Sequence, residues 1–150
     1  MFDLKSDLNL CNRLEVAASS AVADAASRQG SWITLAGVLT EDGTANRANY
    51  LVWSESNRDN TAGFTPDVKD TGALTVLSGY FIGWTTQYTG SIAIGDLLVC
   101  TADGKLVAAT SDDAAATDTT NKAVAVAMSV HDTSHKYVGG SYDSVKIMSL

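Results

Sequence analysis

The sequence predicts a mainly β fold, a small antiparallel β-barrel or sandwich, on three observations. From Ser31 onward the apolar residues recur with a period of two rather than the helical 3.6. Short apolar runs return at regular spacing, each broken by Gly, Asn, Asp or Ser, as in all-β domains. The stretch GDLLVCTADGKLVAAT, Gly95 to Thr110, reads as a complete β-hairpin, with two apolar runs around the polar insert Ala102-Asp103-Gly104-Lys105.

The first thirty residues stand apart as an arm with a short helix. Asn12-Arg13-Leu14-Glu15 has the form of a capping box, with Asn12 at the N-cap and Glu15 three residues on. The alanine-rich run VAASSAVADAASRQG follows and ends at Gly30, a natural helix stop. Leu14, Ala18, Ala21, Val22 and Ala25 share one face at helical spacing. Alanine buries little area, so that face gains weakly from packing on its own domain. Leu4, Leu8, Leu10 and Leu14 are therefore the candidate contacts to a partner, although the arm could equally fold back on its own barrel. Removing residues 1–14 is expected to leave the barrel folded.

Residues 31–150 make the barrel or sandwich. Trp32–Thr40 reads as a strand ending in the turn Glu41-Asp42-Gly43, and Asn49–Ser54 as a second strand rich in aromatic and branched residues. Ser56–Thr71 is a polar loop holding Pro66, the chain's single proline. Leu74–Leu77 and Tyr80–Tyr88 read as a strand pair joined at Ser78-Gly79, with Gly83 marking a bulge or bend. In the hairpin, strands Leu97–Ala102 and Lys105–Thr110 flank Asp103-Gly104, which suits a two-residue type I′ turn. Ser111–Asn121 reads as an exposed loop, Ala123–Met128 as a buried strand and Ser144–Met148 as a terminal one.

Charge limits the partners. Ten basic against seventeen acidic residues give a net charge of −7, and the basic residues are scattered singly. Nucleic-acid binders draw affinity from neutralising phosphates with Lys and Arg, so direct binding to nucleic acid is not expected, nor is an anionic membrane surface. No run approaches the ~20 apolar residues of a membrane span, and the first residues lack the basic start and apolar core of a signal peptide. Synthesis and folding in a cytoplasm are expected. Cys11 and Cys100 read as two reduced, buried thiols, with one disulfide allowed on count alone.

Motifs that carry chemistry are few. His131 and His135, four apart, could share a helical face and bind a metal, but Gly139-Gly140 and the turn-like residues around them favour two solvated imidazoles in a loop. The sequence has no GxSxG elbow, no GxGxxG after a strand and no GxxxxGK[ST] phosphate loop. Asp112-Asp113 and Glu41-Asp42 read as turn residues. Trp53, Tyr80, Phe81 and Trp84 could stack on sugars, yet Tyr80 and Phe81 must point to opposite faces of a strand. At least two of the four belong in the core. The chain is read as no enzyme, with no cofactor and no metal.

The segments SIAIGDLLVCTADGKLVAATSDD, KAVAVAMSV and YDSVKIM bring a family into view. Over residues 90–150 the chain resembles the head decoration, or capsid cement, proteins of tailed bacteriophages. The resemblance assigns that family's pattern to Gly95-Asp96, the Asp103-Gly104-Lys105 hairpin, the strand Val124–Met128 and the alternation Val145–Ile147. It implies a structural virion protein on the outer surface of the major capsid protein shell, which it stabilises non-covalently. It also implies a homo-oligomer, trimer or dimer. The first ninety residues are then an elaboration. The alternative from another class is a carbohydrate- or receptor-binding β-module of a phage tail or fibre, using the aromatic strands.

Overall fold

A computed structural model describes residues 2–5, 11–17, 30–33, 50–53, 73–101, 103–109, 123–137 and 140–150. These residues form eleven strands and two antiparallel sheets around one core. The strands are β1 (Phe2–Leu4), β2 (Cys11–Ala17), β3 (Trp32–Ile33), β4 (Tyr50–Val52), β5 (Ala73–Gly79), β6 (Ile82–Thr85), β7 (Leu97–Cys100), β8 (Leu106–Ala108), β9 (Ala125–Ala127), β10 (Asp132–Tyr137) and β11 (Gly140–Ser149). The larger sheet runs β1-β6-β11-β9-β7-β8, with β10 paired to β11 off that path; the smaller runs β2-β5-β4-β3. The fold is mainly β, as the period-two pattern predicts. Among the described residues the large sheet is not a closed barrel. One bridge, Tyr88 to Leu106, ties the chain after β6 to β8.

Alternation decides which side chains enter the core. Along β11, Val145, Ile147 and Ser149 are buried while Lys146 and Met148 between them are half-buried. The inward residues Phe2, Leu98, Cys100, Leu106, Ala125, Ala127, Val145 and Ile147 meet Trp32, Leu51, Trp53 and Leu77 of the smaller sheet and its flank in a single cluster. Phe81 lies between them, its ring centroid 5.8 Å from that of Trp32 in a stacked pair and 5.6 Å from that of Phe2 in an edge-on one. Both are arrangements that aromatic rings prefer. Trp53 and Phe81 are thus core residues, and Tyr80, 46% exposed, points the other way.

Several local expectations are corrected. Residues 11–17 form a strand, so the Asn12–Glu15 box starts no helix there; all seven pair with β5, from Cys11 opposite Gly79 to Ala17 opposite Ala73. Seven ladder positions outweigh a cap worth about 1 kcal/mol. Residues 18–29 of the expected helix lie outside the described residues, as do most of the Trp32–Thr40 strand and the loops 56–71 and 111–121. Phe2–Leu4 pairs into the large sheet and Cys11–Ala17 into the small one. Phe2 is fully buried, so removing residues 1–14 would take out part of the core.

β5 and β6 do not pair with each other. Gly79 to Phe81 carries the chain from the small sheet to the large one, and Ser149 locks that corner. Its Oγ accepts from the Phe81 N–H at 2.7 Å and donates to the Gly79 carbonyl at 2.7 Å. Gly83 makes no bulge: it sits in register between Leu4 and Ile147. Its missing side chain is what lets β1 approach, since a Cβ there would overlap the Phe2 ring at Cζ.

The β7–β8 hairpin is present, with Leu98, Val99 and Cys100 opposite Ala108, Val107 and Leu106. Its turn is not type I′. Of Asp103 and Gly104 only the glycine takes a positive φ, 71°; Gly104 N–H bonds to Thr101 O, and Thr101 N–H to Lys105 O. That is a longer turn closed by a left-handed glycine. Gly104 is buried and its carbonyl accepts from Trp32 N–H at 2.9 Å, so the hairpin tip is tied to the small sheet.

Candidate functional site: the outer face of the large sheet

The register places two rows of side chains across the face of the large sheet that turns away from the core. Residues opposite one another in antiparallel strands share a face and stand about 5 Å apart. The first row is Leu97, Val126, Met148 and Ile82, one residue from each of β7, β9, β11 and β6. Three strand spacings make it ~14 Å long. Lys5 extends it, its N–H bonding to Ile82 O at 2.8 Å. The second row runs Met128, Lys146, Trp84 and Asp3; Met128 N–H bonds to Lys146 O, Lys146 faces Trp84, and Trp84 faces Asp3.

The two ends of this face differ in character. At the β7/β9 end Leu97 and Met128 are 39% and 38% exposed, and Ile94 and Val130 nearby are 70% and 56% exposed. Ile94 is held there by a tight turn. Asp96 Oδ2 accepts from Ala93 N–H at 2.7 Å, Asp96 N–H bonds to Ala93 O at 3.1 Å, and Gly95 between them has φ 90°. A side chain would be strained at that φ, although the space around Gly95 is open. Gly95 N–H then pins the turn to Ala127 O. An apolar group on a turn fixed at both sides is ordered before any partner arrives, which lowers the entropic cost of contact.

At the β1 end the face is closed by its own polar groups. Asp3, 5% exposed, takes Lys5 Nζ at 2.7 Å and His135 Nε2 at 3.1 Å on the same carboxylate oxygen. The His135 ring stacks on Trp84 with centroids 4.2 Å apart and planes 13° from parallel. His135 is therefore no solvated loop residue. The segment is strand β10, pairing with the first half of β11, and a register shift between Asp132 and His135 adds one residue on the β10 side. His131 is exposed and does not join the cluster. Among the described residues, no three of His, Cys, Asp and Glu gather as a metal site. At the start of β10, Ser134 bonds through Oγ and N–H to Asp132 Oδ1, and these bonds hold that carboxyl below its ordinary pKa.

Tyr88 fixes the rim. Its hydroxyl donates to Asp143 Oδ1 at 2.5 Å, and burial, then that bond and the Asp143 charge, push its pKa up to about 12. A cavity of about 230 Å³ lies where the sheets meet, lined by Trp32, Tyr50, Ser78, Gly79, Val124, Ser149 and Leu150. Its most buried hydroxyl, Ser149, is already committed to the β5–β6 corner.

The sequence-derived contact residues fall in different places. Leu4 is partly buried against the core, Leu14 is 40% exposed on β2, and Leu8 and Leu10 lie outside the described residues. The fold does not bring Leu4 and Leu14 to one surface strip: they belong to different sheets. Sequence reasoning missed the outer rows. Their one local signal is that Leu97, Val126 and Met148 occupy the alternate positions of apolar strands. Cys11 and Cys100 are not joined as a disulfide; Cys100 is buried and Cys11 half-buried.

Comparison with protein-family models, with curated proteins and with solved structures finds no match.

Proposed function

We propose that the chain is a structural virion protein, a capsid decoration or cement protein. It binds the outside of the major capsid protein shell and stabilises it non-covalently. The observation that carries this reading is the exposed apolar end of the outer face, Leu97, Met128, Ile94 and Val130 on β7 and beside β9, suited to lie against another protein. Protein surfaces with apolar patches of this kind mark interaction sites. The resemblance over residues 90–150 names the partner, and a net charge of −7 suits an outer surface away from packaged DNA.

The physics of bracing is mass action. A protein that binds the assembled shell in preference to free subunits stabilises it, and many copies multiply a modest energy per site. Leu14 on the small sheet is available as a second contact, and a trimer or dimer on the shell is part of the same proposal. The aromatic row offers less to a sugar, because one face of Trp84 is covered by His135 and both Trp53 and Phe81 are core. The test is to add purified protein to expanded tailed-phage capsids and follow shell melting by calorimetry. A rise in melting temperature that saturates with added protein is expected, and no rise at saturating protein overturns the proposal.

A further inference from the structure

We infer that two copies of the chain pair edge to edge through β2, related by a two-fold axis at Leu14, so that Arg13 of each copy lies opposite Glu15 of the other. The decoration reading leaves a trimer or a dimer open. This inference goes beyond it by naming the edge and the symmetry, and it needs no shell.

β2 is the open border of the small sheet. From Asn12 to Ala17 its one strand neighbour among the described residues is β5, and both Asn12 and Leu14 are exposed. Such an edge presents a row of backbone N–H and C=O groups to which another strand can pair. The other borders are blunted. At β8, Leu106 N–H bonds to Gln87 O and Thr89 N–H to Leu106 O. At β3, Trp32 N–H bonds to Gly104 O. β1 is only three residues long and holds the buried Asp3 paired with Lys5.

Charge complementarity selects a second copy as the occupant. Residues opposite one another in an antiparallel pair share a face, so the two-fold axis of a β2–β2 pair must fall on a residue position. Leu14 is the midpoint of Cys11–Ala17, and an axis there pairs the strand over its full length. That register sets Leu14 against Leu14 and Arg13 against Glu15 twice over. An axis at Arg13 sets base against base, and one at Glu15 sets acid against acid. Axes at Asn12 or Val16 leave both charges unmatched and shorten the overlap. Unlike charges directly across a strand pair stabilise it and like charges oppose it. The product is one continuous sheet, β3-β4-β5-β2 running into β2-β5-β4-β3 of the second copy. A two-fold contact closes at two copies, so the assembly is a dimer.

The experiment is sedimentation velocity of the full-length chain alone, over a range of protein and NaCl concentrations. Wild type should dimerise, less tightly as salt rises. Arg13→Glu and Glu15→Arg each set like charges opposite one another and should weaken the dimer by about tenfold or more. Mixed one to one, these two variants carry opposite charges at the facing positions and should pair as wild type does. The double variant Arg13→Glu/Glu15→Arg should dimerise by itself. Recovery on mixing separates a lost contact from a lost fold. The inference is overturned by a wild type that stays monomeric at its highest soluble concentration, or by a trimer. Single variants that dimerise as tightly as wild type, or that stay apart when mixed, overturn it as well. The decoration reading, which is tested on shells, survives each of these results.

Discussion

Gly83→Ala tests how the N-terminal strand is held. The added methyl would overlap Phe2 Cζ and stand 2.8 Å from Phe2 Cε2 and 2.7 Å from the Asp3 carbonyl oxygen. Contact between carbons is comfortable only at about 3.5–4.0 Å. The Phe2 ring is fully buried against Phe81, and the carbonyl belongs to the strand itself, so neither can swing aside freely. Overpacking of this kind costs about 1–3 kcal/mol. If the clash expels Phe2 from the core, the loss approaches the ~3–5 kcal/mol of a Phe→Ala truncation. Backbone propensity pulls the other way, since alanine in a strand interior is worth roughly 0.5–1 kcal/mol over glycine. The net expectation is a loss of about 1–2 kcal/mol with Phe2 in place and ~2–4 kcal/mol with it expelled, at roughly 2–4 °C of melting temperature per kcal/mol for this chain length. Urea unfolding of Gly83→Ala, Phe2→Ala and the double variant measures it. The two changes should be less than additive, because truncating Phe2 removes part of the clash. Stability equal to or above wild type in Gly83→Ala would show that β1 does not lie where the structure places it.

Two further changes probe the sheet junction and the rim. Ser149→Ala removes the hydroxyl that serves both Phe81 N–H and Gly79 O and leaves a buried donor unpaired. A loss of about 1–3 kcal/mol in urea unfolding is expected; a neutral result would show the corner is held without it. Tyr88 should stay protonated in ultraviolet titration while ordinary tyrosines ionise. Its folded pKa, about 12, lies above the unfolded value of 10.0, so its contribution to stability is full below pH 10 and is lost as pH rises through 12. Tyr88→Phe should remove that part of the alkaline loss, and an unchanged pH profile would contradict the assignment.

How much of this can be read from the sequence depends on the range of the contacts. The β7–β8 hairpin is legible because both partners and the turn lie within a dozen residues. Only its turn type is not, since Asp103-Gly104 fits two loop lengths equally well. The Asn12–Glu15 segment has a helix signature locally, yet its fate is decided by β5, more than fifty residues away. Ser78-Gly79 signals a change of direction but not whether the chain returns to the same sheet; that is settled by Ser149 on another strand. β10 is polar on both sides and carries no period-two pattern, so it reads as a loop until β11 and the Trp84 stack hold it. The outer rows require the register of four strands at once. No local pattern contains that register.

The most direct measurement of the central claim is cryo-electron microscopy of expanded shells incubated with the purified chain. The account predicts added density on the outer surface that fits two antiparallel sheets, with Leu97 and Met128 turned toward the shell subunit. Shells identical to undecorated ones at saturating protein would contradict it.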